Sequence, residues 1–347
     1  MKLKLITVLC MAAIAAVLAQ GPLTPPPGPP GAVMKTLDQI EPRTPISSLP
    51  YQISSTGSYY LTGNLHFTAA TGHAITIMRS NVTLDLNGCT ISSDSAVTGD
   101  AIHIVSGVQN TEIKNGAITG TSSVEVNGTP PVWTIFRGGF ENGIKAETMP
   151  SIHAVEGCQF HHLRIARCRG DGLSAGLGAV VSHVSAVENG GRGIAASQGV
   201  VSLSTGRQNG DTGIMADAVS HCVAAANGGL EGFGGSTAIN CAARGNATNG
   251  VSTTVAANCY ATSNGANGVL GTAITNSYAG LNGNMGISAR FGTATASVGR
   301  ENGGNGIFSY LGVAGFCAAS LNNQNNNGSV NIYDESDVTR TGNYPAP

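Results

Sequence analysis

One period governs this chain. Asn recurs as Asn189, Asn209, Asn227, Asn246, Asn264, Asn282, Asn302 and Asn322, at steps of 18–20 residues. Four residues after each of the first seven (five after Asn227), a Gly precedes an apolar residue: Gly193-Ile194, Gly213-Ile214, Gly232-Phe233, Gly250-Val251, Gly268-Val269, Gly286-Ile287 and Gly306-Ile307. A repeat of this length means a stacked array, in which each unit buries its apolar face on its neighbours. Helical repeats are excluded, because these glycines leave no room for helices long enough to be stable. That leaves short strands joined by turns.

The columns of the repeat give the geometry. Five residues before the Asn stand Val184, Ser204, Cys222, Cys241, Cys259, Ser277, Ser297 and Cys317; three before it stand only Ala or Gly. Positions two apart share one face of a strand, and these are small and uncharged, so they point into a narrow core. Eight before the Asn is an apolar column from Val181 to Ala314. The odd step of three between columns implies a bend. Each repeat is then one coil, and equivalent residues stack at the strand spacing of about 4.8 Å. Composition agrees: 49 of 347 residues are Gly and only 10% are charged. Turns need Gly, and a stacked coil would set like charges opposite one another. The expected fold is all-β, a parallel β-helix of about 10–12 coils.

The Asn column, from Asn189 through Asn209 and Asn227 to Asn322, reads as structural, a ladder passing hydrogen bonds from coil to coil. Asn246-Ala-Thr is formally a glycosylation sequon, but its place in the ladder argues against a glycan. Outside the leader the chain has seven Cys, an odd number and a poor disulfide framework. Cys222, Cys241 and Cys259 share a column with Ser and read as buried free thiols.

Residues 1–19 have the basic start, short apolar run and small-residue end of a signal peptide. Residues 20–33 are a Pro-rich, semi-rigid linker. The rest is expected as one domain over 34–347, with a cap at 34–67, a loop insertion at 121–150, and a cap and tail at 323–347. The expected location is periplasmic, cell-surface or extracellular, with no membrane span in the mature chain. The chain carries 17 basic and 19 acidic residues; loss of Lys2 and Lys4 with the leader leaves a net charge of −4. The last Lys is Lys145. Nucleic acid is excluded as a partner, since no basic stripe exists to bind it.

Two earlier segments, Asn81-Val-Thr-Leu-Asp-Leu-Asn-Gly-Cys-Thr-Ile91 and Asn110-Thr-Glu-Ile-Lys-Asn-Gly-Ala-Ile118, resemble the opening coils of right-handed parallel β-helix proteins, the pectate-lyase-like superfold. Met34 to Ile46, followed by Gly57 to Leu65, resembles the N-terminal stretch of a family of exported bacterial proteins of this fold, mostly of uncharacterised function. The resemblance implies the right-handed form; the spacing alone suits either hand.

The chemistry is less legible. The Asp pair, Gly-His-Gly and Arg-Ile-Lys of polygalacturonase-like enzymes are absent. Asp171, near Arg167 and Arg169, occupies a turn position that is variable from coil to coil and reads as solvated. Asp and Glu fall in different columns, whereas a carboxylate cluster on one outward face would mark an enzyme. No cofactor and no metal ligand set is expected. One outward face does have character: His162, His183 and His221 in one column, Tyr260 and Tyr278 in the next, and Arg207 and Arg244 in a third. Tyr stacks on sugar rings, and Arg binds hydroxyls or carboxylates. Non-catalytic binding of an extracellular or envelope glycan along this face is the leading expectation. A polysaccharide lyase or glycoside hydrolase, and a structural or adhesive module, are the alternatives.

Overall fold

The computed structural model describes residues 42–127, 132–136, 138–147, 154–310, 313–323, 332–334 and 344–345. The expected leader, the linker and the first part of the 34–67 cap lie outside them, as does most of the tail. From Arg43 onward the chain forms one unit. It is a parallel β-solenoid of about 12 turns, with no helix among the described residues. Nothing among them is therefore a helix long and apolar enough to cross a membrane.

Each coil contributes a strand to three parallel sheets. The first sheet stacks the strands that open on Ile75, Ile102, Ile144, Leu173, Ile194, Ile214 and onward to Ile307. The second runs through Leu84, Ile113, Phe160, Val181, Val201, Val219 and Ala238. The third runs through Ile118, Ile165, Ala186, Gly206, Ala224 and Ala243. The apolar residues after the recurring Gly are buried, as are the Cys/Ser and Ala columns. Bulk fills the first coils, where Ile, Leu and Phe predominate, and Ala, Cys and Ser fill the narrower later ones.

The expected bend lies between the second and third sheets and is one residue long. His162, His183, Leu203, His221, Asn240, Asn258 and Asn276 all adopt positive φ there, from 46° to 56°. Asn and His tolerate the left-handed region better than most residues, which accounts for much of that column's composition. A second left-handed corner, including Glu188, Gln208 and Leu281, precedes the Asn column.

The Asn ladder is buried and bonded from coil to coil, as its column predicts. Asn189 Nδ2 donates to Asn209 Oδ1 and Asn209 Nδ2 to Asn227 Oδ1, each at 3.0 Å, and Asn227 Nδ2 donates to Asn246 Oδ1 at 2.9 Å. Asn264 Nδ2 donates to Asn282 Oδ1 at 2.9 Å and to Ala243 O at 3.3 Å, while its backbone N–H donates to Asn282 Oδ1 at 3.1 Å. Its own Oδ1 accepts the same pair of bonds from Asn246. The pattern runs from Cys168 N–H on Asn189 Oδ1 to Asn302 on Asn322. The Asn-to-Gly spacing has a steric cause. A Cβ on Gly250 would lie 2.6 Å from Asn264 Nδ2 and 2.7 Å from Gly268 O. Gly is therefore what lets one coil's ladder amide seat under the next.

Seven cysteines of the described coils are free thiols, and all but Cys89 are buried. Burial pushes Cys222 and Cys259 up to about 12, so these thiols are inert packing groups.

The stretch 121–150, expected as one loop, divides in two. Ser123–Asn127 and Val132–Phe136 form an antiparallel hairpin. Ile144–Ala146 is an ordinary strand of the first sheet, and Phe140 is buried against Phe67, with ring centres 5.9 Å apart.

Candidate functional site

Where a strand of the first sheet begins, the residue two before its inward apolar side chain stands at the sheet edge. Along successive coils this column reads His73, Asp100, Asn142, Asp171, Arg192, Thr212 and Glu231. Three carboxylates thus share one column, contrary to the sequence expectation that acidic residues are scattered. The outward row beside it carries Thr76, His103, Lys145 and Ser174.

Asp100 is the hub. It is buried, and its Oδ1 accepts a bond from Asn142 Nδ2 at 2.7 Å. Its Oδ2 accepts one from His103 Nδ1 at 2.8 Å. The Asp100 backbone N–H donates to His73 Nδ1 at 3.0 Å, which assigns the His73 proton to Nε2. With Nδ1 held by Asp100, the largely buried His103 sets Nε2 3.3 Å from Glu147 Oε1. Glu147 is anchored by the Ser106 N–H, which donates to its Oε2 at 2.9 Å. The His73 and His103 rings stack at 3.9 Å. Burial, then electrostatic interaction with neighbouring His103, push His73 below the ordinary His value. Lys145 is exposed one rung from His103.

His73, Asp100 and His103 place one ligand atom each within 4.8 Å of the others. A metal ion prefers the plane of an imidazole ring. These rings lie only 15° from parallel, so no ion between them can be in both planes. The cluster fits proton transfer better than chelation: one carboxylate orients the imidazole, and its other nitrogen faces a second carboxylate that can relay a proton.

Further along the column, Asp171 is not a solvated turn residue. Its carboxylate accepts the Arg192 backbone N–H and pairs with Arg192 Nη2, each at 2.8 Å. Burial opposes the Arg192 charge, but Asp171 outweighs it and holds the guanidinium above its ordinary value. The outward row meanwhile continues as Ser174, Ala195, Met215, Gly234 and Ser252. None of these is branched and bulky, so the first sheet keeps an open floor. It runs for about 29 Å at the strand spacing to a groove of about 640 Å³ that includes Ser252, Leu270, Arg290 and Phe308.

The residues singled out from the sequence fall into two groups. His162 and His183 stack with ring centres 4.7 Å apart. His221 is bonded to Asn240, which accepts a bond from Asn258. All of these occupy the left-handed corner and not a strand face. Tyr260 and Tyr278 do stand on the third sheet, stacked at 5.0 Å, with the Arg244 guanidinium 5.2 Å from the Tyr260 ring centre. Arg207 and Arg244, two rungs apart, line one groove of about 650 Å³. His162 lies about 24 Å from Tyr260 at the strand spacing, so the set is not one site. The Asn ladder, Asn209 and Asn227 included, faces the interior and takes no part in either group.

Sequence reasoning misses the His73–Asp100–His103 cluster. A signal for it exists: His73-Ala-Ile75, Asp100-Ala-Ile102, Asn142-Gly-Ile144 and Asp171-Gly-Leu173 carry the same small-then-apolar offset as the later repeats.

No protein-family model and no curated protein matches this chain. Among solved structures it is similar to the A-module of mannuronan C-5 epimerase AlgE6 from Azotobacter vinelandii, at 16% identity and TM-score 0.41, over 84% of this chain and 78% of that one. It is similar to the periplasmic alginate epimerase AlgG at 13% identity and TM-score 0.34, over 84% of this chain and 79% of that one. A third is the exopolygalacturonase of Thermotoga maritima, at 10% identity and TM-score 0.37, over 77% and 80%.

Proposed function

We propose that this is an exported protein that binds an acidic polysaccharide along its first sheet and performs proton-transfer chemistry on it at His103. The observation that carries this reading is the Asp100–His103 pair, which fixes an imidazole whose Nε2 lies beside Glu147, with exposed Lys145 one rung away. His103 Nε2 takes the proton from the sugar carbon next to a carboxylate. The freed electron pair passes into that carboxylate, and Lys145 offsets the added charge. The pair then either expels the neighbouring glycosidic oxygen, which takes a proton from water and leaves an unsaturated sugar, or takes a proton from water on the opposite face. Glu147 is within reach to share the proton held on Nε2.

Two-carboxylate glycoside hydrolysis fits less well. It needs both carboxyl groups open to the sugar, and both oxygens of buried Asp100 are engaged within the protein. The long open floor suits an extended polymer better than a small substrate. A second reading, binding without chemistry, is favoured by the Arg207–Arg244 groove beside the stacked tyrosines, which suits an anionic glycan on the third sheet.

The test offers the protein a panel of acidic and neutral polysaccharides. Unsaturated chain ends, or sugars of inverted configuration seen by NMR, are expected with an acidic member. Retention of a polysaccharide with neither product, abolished in Tyr260→Ala/Tyr278→Ala protein, would replace this reading with the second.

A further inference from the structure

A different histidine pair has the geometry the first cluster lacks. His161 ends the run of the second sheet and His162 is the left-handed corner residue that follows, with φ of 56°. Consecutive strand residues point to opposite faces. The corner breaks that alternation and turns both rings outward, so that His161 Nδ1 and His162 Nδ1 lie 3.1 Å apart. The ring planes are 84° apart. Planes so nearly perpendicular intersect along a line, and a single ion can lie in both.

The distance fits as well. With metal–nitrogen bonds of about 2.0–2.1 Å, two nitrogens 3.1 Å apart subtend roughly 95–102° at the ion. That lies between the square-planar and tetrahedral angles, the range of Cu(II) and Zn(II).

The surroundings prepare the lone pairs. His161 Nε2 lies 2.8 Å from Glu112 Oε1, and Lys114 Nζ donates to the other Glu112 oxygen at 2.9 Å. A carboxylate on Nε2 keeps the proton there and leaves Nδ1 as the donor atom, the arrangement that orients metal-binding histidines. His183 stacks on His162 and steadies its ring. His162 is exposed, so water can complete the coordination.

We propose that His161 and His162 together bind one divalent late transition ion, Cu(II) or Zn(II), through their Nδ1 atoms, with Glu112 positioning His161. Cu(II) binds more tightly than Zn(II), following the general order for nitrogen sites. This site is separate from the first-sheet cluster and does not depend on what that cluster does.

The test is calorimetric titration of the protein with CuCl2 and with ZnCl2, together with electron paramagnetic resonance of the Cu(II) form. The expected result is one equivalent bound, with two-nitrogen hyperfine structure. His161→Ala and His162→Asn should each weaken binding at least tenfold. Asn is chosen at 162 because it holds this corner in other coils, and circular dichroism checks the fold. Glu112→Gln should weaken binding by about tenfold or more through loss of the positioning bond, and His73→Ala should leave it unchanged. Wild-type affinity in a His161→Ala/His162→Asn protein, or loss of the ion in His73→Ala alone, would overturn the assignment. The first result would make the pair a plain hydrogen bond. The second would move the ion to the first sheet.

Discussion

Asp100→Asn protein is expected to fold normally and turn over polysaccharide about 10²–10⁴ times more slowly, with KM little changed. Asp100 is buried and does not reach a ligand on the first sheet; it acts on His103. An amide at this position still accepts one bond, but it offers N–H where His103 Nδ1 now finds a carboxylate oxygen. The imidazole then adopts the other tautomer, with its proton on Nε2, and can no longer accept one from substrate. The negative charge facing His103 is lost as well. A fall in kcat with KM constant distinguishes this role from lost binding. Asp100→Asn kcat within threefold of wild type would remove Asp100 from the mechanism.

The second large effect is on stability. Asn264→Leu should destabilise the protein by roughly 1–3 kcal/mol, because buried donors and acceptors are left unpaired. The substitution removes both bonds that Asn264 Nδ2 donates. It also strips the acceptor shared by the Asn246 side chain and backbone N–H. Leu is close in size, so the loss is one of hydrogen bonding more than of volume. Denaturant unfolding followed by circular dichroism measures it. A midpoint unchanged from wild type would mean that the ladder contributes nothing.

The period of the repeat makes the later coils legible from spacing alone. From residue 181 on, each inward column, the Asn ladder through Asn209 and Asn227, and the bend are where the spacing predicts. Two things are obscured. The His/Asn column reads as an outward strand face only when alternation is carried straight through a one-residue corner; a single left-handed residue resets that count. The first-sheet cluster is hidden by uneven coils. Between His73 and Asp100 the step is 27 residues, and between Asp100 and Asn142 it is 42, since the hairpin at Ser123–Phe136 intervenes. Side chains that far apart in sequence share no visible period. Only the stacking of Ile75, Ile102, Ile144 and Leu173 brings them together.

The same stacking explains why a chain with so few charges can still hold a reactive cluster. In the regular coils a charge would face its own copies one rung away. In the irregular first coils the column changes identity at every step, so His73, Asp100, Asn142, Asp171 and Arg192 meet as complementary neighbours.

The central claim is that His103 moves a proton between solvent and an acidic polysaccharide. The most direct measurement is deuterium uptake: the panel is incubated with the protein in D2O, and carbon-bound deuterium in the recovered sugar, or an unsaturated end in its place, is read by mass spectrometry and NMR. One or the other is expected with wild-type protein on an acidic polysaccharide, and neither with His103→Ala. Deuterium or unsaturated ends formed equally by His103→Ala protein, or formed by neither protein on any member of the panel, would contradict the account.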